Sequence, residues 1–287
     1  MTLSRREFLA GAAAAGATAM AGLRAPAAPG PAKAVKGTDV VTLGKSQIET
    51  TVLGIGTGTH GGREQRELGE RGFVKLARHA HDRGIRYIDT ADAYRMHPFV
   101  RAALKELPRE QIFIQTKTRA KDARKAKDDL ERLRRELDVE QLDTLLMHCM
   151  TKGSWPTDMR PVMDVLYEAK QKGTVRAVGI SCHGFAPLAA SVAPDWIDVH
   201  LVRINPFDAK MDGPHPAVAA QMTKMHQEGR GILGMKIYGE DGLGSRQRRL
   251  ASLKYVLGLG SVHAFTIGFV SPQQIDETLD LIEQATA

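Results

Sequence analysis

The sequence predicts an α/β protein of the (β/α)8 TIM-barrel class, with an N-terminal β-hairpin closing the barrel bottom. Three observations carry this. Past residue 38, short apolar runs alternate with amphipathic stretches, and the alternation repeats eight times in about 235 residues. Repeated strand–helix units imply parallel strands with right-handed crossovers. Finally, several polar or ionisable residues stand where an apolar run stops, and in a parallel barrel those ends share one rim.

The elements follow in order. Residues 40–43 and 48–50, joined around Gly44-Lys45-Ser46, read as the hairpin. Residues 51–55 are the first barrel strand, followed by a loop of Gly56-Thr57-Gly58-Thr59-His60-Gly61-Gly62. The helix over 64–83 places Leu68, Phe73, Leu76, Ala77 and Ala80 on one side, and Gly84 stops it before the strand at 85–89. The unit then recurs as helix 98–107 with strand 112–117, helix 121–137 with strand 142–148, and helix 160–172 with strand 175–181. It continues as helix 185–193 with strand 197–204, helix 215–228 with strand 231–237, and helix 246–257 with strand 264–269, ending on helix 272–285. Gly173 and Gly229 are further left-handed helix stops, and Ser271-Pro272 is an N-cap and first-turn pair. No second composition class interrupts the run, so residues 37–287 are expected to form one domain.

The first 36 residues read as an address label and linker. Ser4-Arg5-Arg6-Glu7-Phe8-Leu9 precedes a mildly apolar Ala/Gly run ending near Leu23, and Ala25-Pro26-Ala27 is a small-residue cleavage site. Paired arginines followed by Phe-Leu resemble a twin-arginine export signal, so the twin-arginine machinery is an expected partner and the expected location is periplasmic or extracellular. The apolar run is too weak and short for a stable membrane anchor.

Bulk composition narrows the function. Of 287 residues, 43% are hydrophobic and 25% charged, ordinary for a globular protein. The net charge of +7 includes +2 from Arg5, Arg6 and Arg24 against Glu7. The other basic residues are spread over helix faces among Glu and Asp, and aromatic content is only 5%, so no nucleic-acid groove is expected. Cys149 and Cys182 follow adjacent strands, but strand alternation points Cys149 away from the His148 side, against a disulfide. No Cys-x-x-Cys or His-x-x-x-His spacing supports a metal site.

The chemistry gathers at the strand ends: Asp89 and Tyr94 in Ile-Asp-Thr-Ala-Asp-Ala-Tyr, Lys117 in Ile-Phe-Ile-Gln-Thr-Lys, and His148 in Asp-Thr-Leu-Leu-Met-His. An ammonium beside a phenol favours the phenolate and lowers its pKa from about 10, and a carboxylate keeps that ammonium charged. A neutral imidazole donates to a substrate oxygen on which negative charge develops. Asp89, Tyr94, Lys117 and His148 are therefore the expected catalytic set, protonating an oxygen as hydride reaches a carbonyl carbon, or the reverse.

With these residues placed, the chain resembles an aldo-keto reductase from about residue 40 to its end. The Asp-Thr-Ala-x-x-Tyr motif matches as Asp89-Thr90-Ala91-Asp92-Ala93-Tyr94, the lysine strand at Lys117, the histidine strand at His148, and the Gly-hydrophobic-Ser-Asn strand end at Gly179-Ile180-Ser181-Cys182. The resemblance implies a nicotinamide cofactor, NADP or NAD, lying extended across the mouth, with Tyr94 as proton donor and Ser181 against the carboxamide. Gly56, Thr57, Cys182, Lys236 and Gln274 complete the expected cofactor contacts.

The departures fall on the cofactor half. Cys182 replaces the usual asparagine, Leu201 stands at the usual glutamine, and Met235-Lys236-Ile237-Tyr238-Gly239 replaces a Tyr-Ser-Pro-Leu segment. Around Gly268-Phe269-Val270 and Gln274 the phosphate-clamping Lys and Arg are missing, which leaves the preference between NADP and NAD open. Arg95 replaces a glycine after the tyrosine. The sequence ends soon after the last helix, so an open site is expected, suited to a polar carbonyl or sugar. The alternative is a non-redox barrel, a lyase, epimerase or binding protein that has lost normal cofactor binding. His60 and His183 are expected near the mouth. Trp155 reads as a substrate platform or a loop anchor, and Arg203 as an anion ligand or an acid's partner.

Overall fold

A computed structural model of the chain describes residues 35–240 and 244–287. Eight parallel strands close into a barrel: β3 (Leu53–Gly56), β4 (Tyr87–Asp89), β5 (Phe113–Thr118), β6 (Leu142–Met150), β7 (Val175–Cys182), β8 (Val199–Arg203), β9 (Gly231–Met235) and β10 (Ala264–Gly268), with β10 pairing back onto β3. β1 (Val40–Thr42) and β2 (Glu49–Thr51) form an antiparallel hairpin outside the barrel sheet. The fold class, the order of the units and the hairpin expected from the sequence are all present. The expected signal segment lies outside the described residues.

The barrel interior explains the spacing of its residues. Side chains alternate along each strand, so one set points into the lumen and the next toward the helices. The lumen floor is Tyr87, Phe113, Leu146, Ala177, Val199, Leu201, Leu233 and Ala264, with Leu43 and Ile48 of the hairpin packed against them. A bond from Lys45 N to Gly229 O at 2.7 Å anchors the hairpin turn under β9. The Tyr87 and Phe113 rings meet at 4.8 Å between centroids. They fit because β3 offers no side chain there: a Cβ on Gly54 would lie 2.2 Å from the Tyr87 ring. Leu201 belongs to this apolar floor.

The outer layer is amphipathic helices laid on the strands. α1 (Arg63–Glu67) and α2 (Gly69–Asp82) replace the single helix expected over 64–83, because Gly69 at φ +65° breaks the run. α3 (His97–Leu104) follows β4, and α4 (Ala123–Leu137) follows β5. α4 begins on Asp122, whose carboxylate accepts from Lys125 N, and buries Ala126, Leu130, Leu133 and Leu137 at helical spacing. Leu133 is completely buried, which contributes about 1.5–3 kcal/mol. α5 (Trp155–Asp158), α6 (Arg160–Gln171), α7 (Phe185–Ala190), α8 (His215–Gln227), α9 (Arg246–Gly258) and α10 (Pro272–Thr286) complete the ring. Gly84, Gly173 and Gly229 all adopt positive φ as stop signals, and Ser271 Oγ caps α10 at Gln274 N. Among the described residues no helix is long and apolar enough to cross a membrane.

Candidate active site

A cavity of about 640 Å3 opens at the C-terminal ends of the strands, where ligand sites of this architecture form. Asp89, Tyr94 and His148 line it, and Lys117 is completely buried beneath. The four residues singled out from the sequence thus meet in space.

β4 and β5 place the acid and the amine. Lys117 Nζ donates to Asp89 Oδ1 at 2.6 Å and to Thr90 O at 2.8 Å. Gln115, two residues earlier on the same face of β5, donates Nε2 to Asp89 Oδ1 at 2.8 Å and to the Tyr87 hydroxyl at 2.9 Å. Asp89 is fixed from the β3 side as well, since Thr57 N and Oγ1 both donate to its carbonyl, at 2.9 and 3.0 Å. Burial pushes the Lys117 ammonium down, but Asp89 and Tyr94 together raise its pKa above the usual value, so it stays charged.

Tyr94 sits on a one-turn 3-10 helix over Asp92–Tyr94, after β4. Arg66 Nη1 holds the Tyr94 carbonyl, and Arg95 ends the turn at φ +55°. A non-glycine residue there costs about 1 kcal/mol or more, so the turn keeps the conformation its usual glycine would adopt freely. The Lys117 Nζ lies 4.8 Å from the Tyr94 ring centroid. Its charge and hydrogen bonding pull the phenol pKa down, but burial is the larger effect and the net shift is upward. The net lowering expected from the sequence is therefore corrected: Tyr94 is a phenol held protonated, and the ammonium limits how far burial raises it.

His148 meets the Tyr94 ring edge-on at 5.5 Å between centroids, and the His183 ring at 6.3 Å. Burial first, then the charges of Lys117 and Arg119, hold His148 at about 2, so it is neutral at ordinary pH. Its Nδ1 is buried without a hydrogen-bond partner, which leaves Nε2 as the nitrogen available to a ligand. This geometry offers an oxygen atom two neutral donors, a phenol and an imidazole, with a fixed ammonium beneath them.

The expected cofactor contacts divide. Gly56, Lys236 and Gln274 line the cavity. Thr57, Ser181 and Cys182 do not: the Thr57 hydroxyl is committed to Asp89 O, Ser181 Oγ accepts from Cys149 N at 3.1 Å, and Cys182 is buried, its thiol pKa raised by burial. The strand ends bring these side chains to the rim, where backbone groups capture the two hydroxyls. Gln274 Oε1 caps Val270 N at 2.8 Å. Lys236, at φ +59°, pairs with Glu240 at 2.7 Å.

Other side chains settle differently from a reading of the sequence alone. Trp155 is an anchor, buried with Nε1 donating to Pro187 O at 3.1 Å. Both cysteines are free. Strand alternation fails at Cys149, because a bulge in β6 gives it φ +64° and sets its Sγ 3.0 Å from His183 Nδ1. His60 and His183 line the mouth, whereas His97 is buried between Glu136 and Thr116, and His200 lies in the outer layer near Arg230. Sequence reasoning missed Arg119, Arg249, Glu64, Glu240 and Glu277 on the cavity wall. Arg249 comes from α9 and pairs with Glu277 of α10 at 2.7 Å, so a cation does reach the region where no phosphate clamp was found.

The residues present fit a nicotinamide dinucleotide. Gly56, Gly58 and Gly268 leave backbone bare along the wall, and a Cβ on Gly268 would close on Thr59 Oγ1 at 2.0 Å. Lys236, Arg249, Gln274 and Thr278 could hold the polar parts of such a molecule.

Comparisons with known proteins place the chain. The aldo/keto reductase family model matches residues 52–232. The methylglyoxal reductase DkgA of Salmonella typhimurium is 32% identical over 173 residues, covering 55% of this chain and 60% of that protein. An NADH-specific methylglyoxal reductase of Escherichia coli is 26% identical over 186 residues, covering 56% of this chain and 54% of that protein. The match thus spans roughly half the length of the curated relatives. Among solved structures, one from Pseudomonas aeruginosa described as an aldo-keto reductase superposes with a TM-score of 0.75 at 20% identity, covering 89% of this chain and 99% of that one. The holo form of an aldo-keto reductase from Bacillus halodurans gives 0.69 at 18% identity, covering 85% and 90%. The chain belongs to the aldo/keto reductase family.

Proposed function

We propose that this protein is an NAD(P)-dependent oxidoreductase interconverting a small polar carbonyl compound and its alcohol. The observation that carries the reading is the convergence of Tyr94, Lys117, Asp89 and His148 at one end of the cavity. The named relatives that reduce methylglyoxal support carbonyl reduction. A reduced nicotinamide, when bound, supplies hydride to the carbonyl carbon.

The chain's own residues do the rest. Tyr94 and His148 donate to the carbonyl oxygen and hold it in place. As negative charge grows on that oxygen, the Tyr94 phenol passes its proton across. The resulting phenolate is stabilised by the Lys117 ammonium, which Asp89 and Thr90 O keep in position. His148 stays neutral throughout, because its buried ring beside Lys117 and Arg119 resists protonation.

Tyr94→Phe tests the assignment. Loss of a general acid costs about 10²–10⁴ in rate, so turnover of methylglyoxal with NADH or NADPH should fall by at least the lower figure while the thermal melt barely moves. Activity retained within threefold would remove Tyr94 from the proton-donor role. Fluorescence titration of both cofactors tests the redox reading itself, and absence of binding at millimolar concentration would reject it.

We further propose export through the twin-arginine route, which carries folded proteins and so allows a cofactor to be acquired in the cytoplasm. The paired Arg5-Arg6 with Phe8-Leu9 supports this. Outside the cytoplasm the nicotinamide would have to be retained and recycled by a second substrate. Replacing both arginines with lysine should keep the full-length protein in the cytoplasmic fraction; unchanged export would refute the route.

A further inference from the structure

One side of the cavity carries two arginines whose only part in the proton transfer is to help keep His148 neutral, and the following rests on the carbonyl-oxidoreductase reading. Arg119 comes directly after β5 and Arg203 ends β8; both line the cavity, flanking the arc that holds His148 and His183. Arg119 is exposed at the rim and has no carboxylate partner among the described residues. Arg203 is only partly satisfied. Its Nη1 lies 3.4 Å from Asp212 Oδ1, its Nε is buried without a partner, and Asp212 Oδ2 is equally unpaired.

Both guanidinium groups lie close to the reaction centre. The charges of Arg119 and Arg203 each depress the pKa of His148 and of His183. The carboxylates on the cavity wall other than Asp89 belong to segments following β3, β9 and β10, and Glu240 among them is already committed to Lys236. A neutral sugar hydroxyl accepts from a guanidinium fork without offsetting its charge, whereas a carboxylate or phosphate accepts in the paired geometry the fork presents and neutralises it.

We propose that the substrate is a carbonyl compound carrying a carboxylate or phosphate, its anionic group held by Arg119 and Arg203 while its carbonyl oxygen faces Tyr94 and His148. The arginines act as specificity-determining residues for the same reaction.

The test uses the full chain and two near-isosteric pairs: 4-carboxybenzaldehyde against methyl 4-formylbenzoate, and glyceraldehyde 3-phosphate against glyceraldehyde. The charged member of at least one pair should be favoured at least tenfold in kcat/KM, and the pair with the larger preference names the anion. That ratio should collapse toward one in Arg119→Gln and in Arg203→Met. Because Arg119 is exposed, its substitution does not threaten folding and serves as the second variant should Arg203→Met fail to fold. Equal kcat/KM within both pairs overturns the proposal. So does a variant that keeps the charge preference but loses affinity for NADH or NADPH, since the arginines would then serve the cofactor. If neither cofactor binds, the oxidoreductase reading fails separately. Calorimetric titration of 4-(hydroxymethyl)benzoate then decides the anion site alone: binding weakened at least tenfold by Arg119→Gln supports it, and no binding, or binding unchanged in the variant, overturns it.

Discussion

Gly58 controls where the Tyr94 phenol sits, and Gly58→Ala isolates that control. The glycine has φ −104° and ψ 7°, in the bridge region that L-residues also enter, so the substitution adds a methyl group without demanding a left-handed backbone. That methyl would lie 2.6 Å from Tyr94 Cζ, 2.7 Å from Cε2 and 3.0 Å from the hydroxyl oxygen. Ordinary contact begins near 3.4 Å, so the ring must retreat by about 0.8 Å along the line of closest approach. Its route is limited: the His148 ring stands edge-on at 5.5 Å, the Lys117 ammonium lies at 4.8 Å, and the turn is tied down by Arg66. A misplacement of about 1 Å in a reacting group costs on the order of 100-fold in rate. The overpacking itself costs about 1–3 kcal/mol, a melting-temperature fall of a few degrees for a domain this size. Steady-state reduction at 25 °C, beside a thermal melt, separates the two effects. The expected outcome is kcat down by roughly two orders of magnitude in a protein that is still folded. A Gly58→Ala enzyme with kcat within threefold of the parent would show that the phenol is not positioned by this wall.

Two further outcomes follow from the buried charges. Lys117→Met leaves the Asp89 carboxylate buried with Gln115 as its remaining side-chain donor, so stability should fall by about 3–5 kcal/mol in urea unfolding. Adding Asp89→Asn should recover much of that loss without restoring activity, and a single variant as stable as the parent would contradict the burial argument. The second outcome concerns acid. His148 has its folded pKa depressed to about 2, so between there and its unfolded value the unfolded chain binds the extra proton. The contribution is therefore complete above about pH 6.5 and lost as pH falls, amounting to about 2 kcal/mol between pH 6.5 and 5 from this residue alone. His148→Gln should flatten the pH dependence of urea unfolding by that amount, and an unchanged slope would show that the ring protonates in place.

What the sequence disclosed, and what it withheld, follows from how many coordinates each property needs. Asp89, Lys117 and His148 were legible because a strand end in a parallel barrel is a location: once the order of strands is read, three residues at three ends must share a rim. Tyr94 came with them because its turn follows β4 directly. Helix bounds were recovered to within a few residues for the same local reason, and the exception at Gly69 is a single positive φ inside an otherwise continuous apolar stripe. Trp155 could be read either way because its role depends on whether a carbonyl from α7 meets its indole. Thr57 and Ser181 sit where expected, but their hydroxyls turn to backbone partners on neighbouring strands. Cys149 escaped because alternation assumes a regular strand, and the bulge that breaks it is a property of two strands together.

The balance of charge was the least legible property and bears most on function. Taken singly, Arg119, Arg203 and Arg249 are three of many basic residues in a sequence of net charge +7. Partner geometry separates them. Arg249 has Glu277 at 2.7 Å, Arg203 has Asp212 only at 3.4 Å, and Arg119 has no carboxylate partner among the described residues. A cation matched by a close carboxylate adds little field at a distance, whereas an unmatched one draws an anion. At the α9–α10 end Glu277 is shared by Arg249 at 2.7 Å and Arg246 at 3.8 Å, whereas on the β5–β8 side Arg119 stands unmatched and Arg203 is only loosely matched beside the phenol. The unmatched Arg119 beside the loosely paired Arg203 thus favours an anionic substrate on the β5–β8 side.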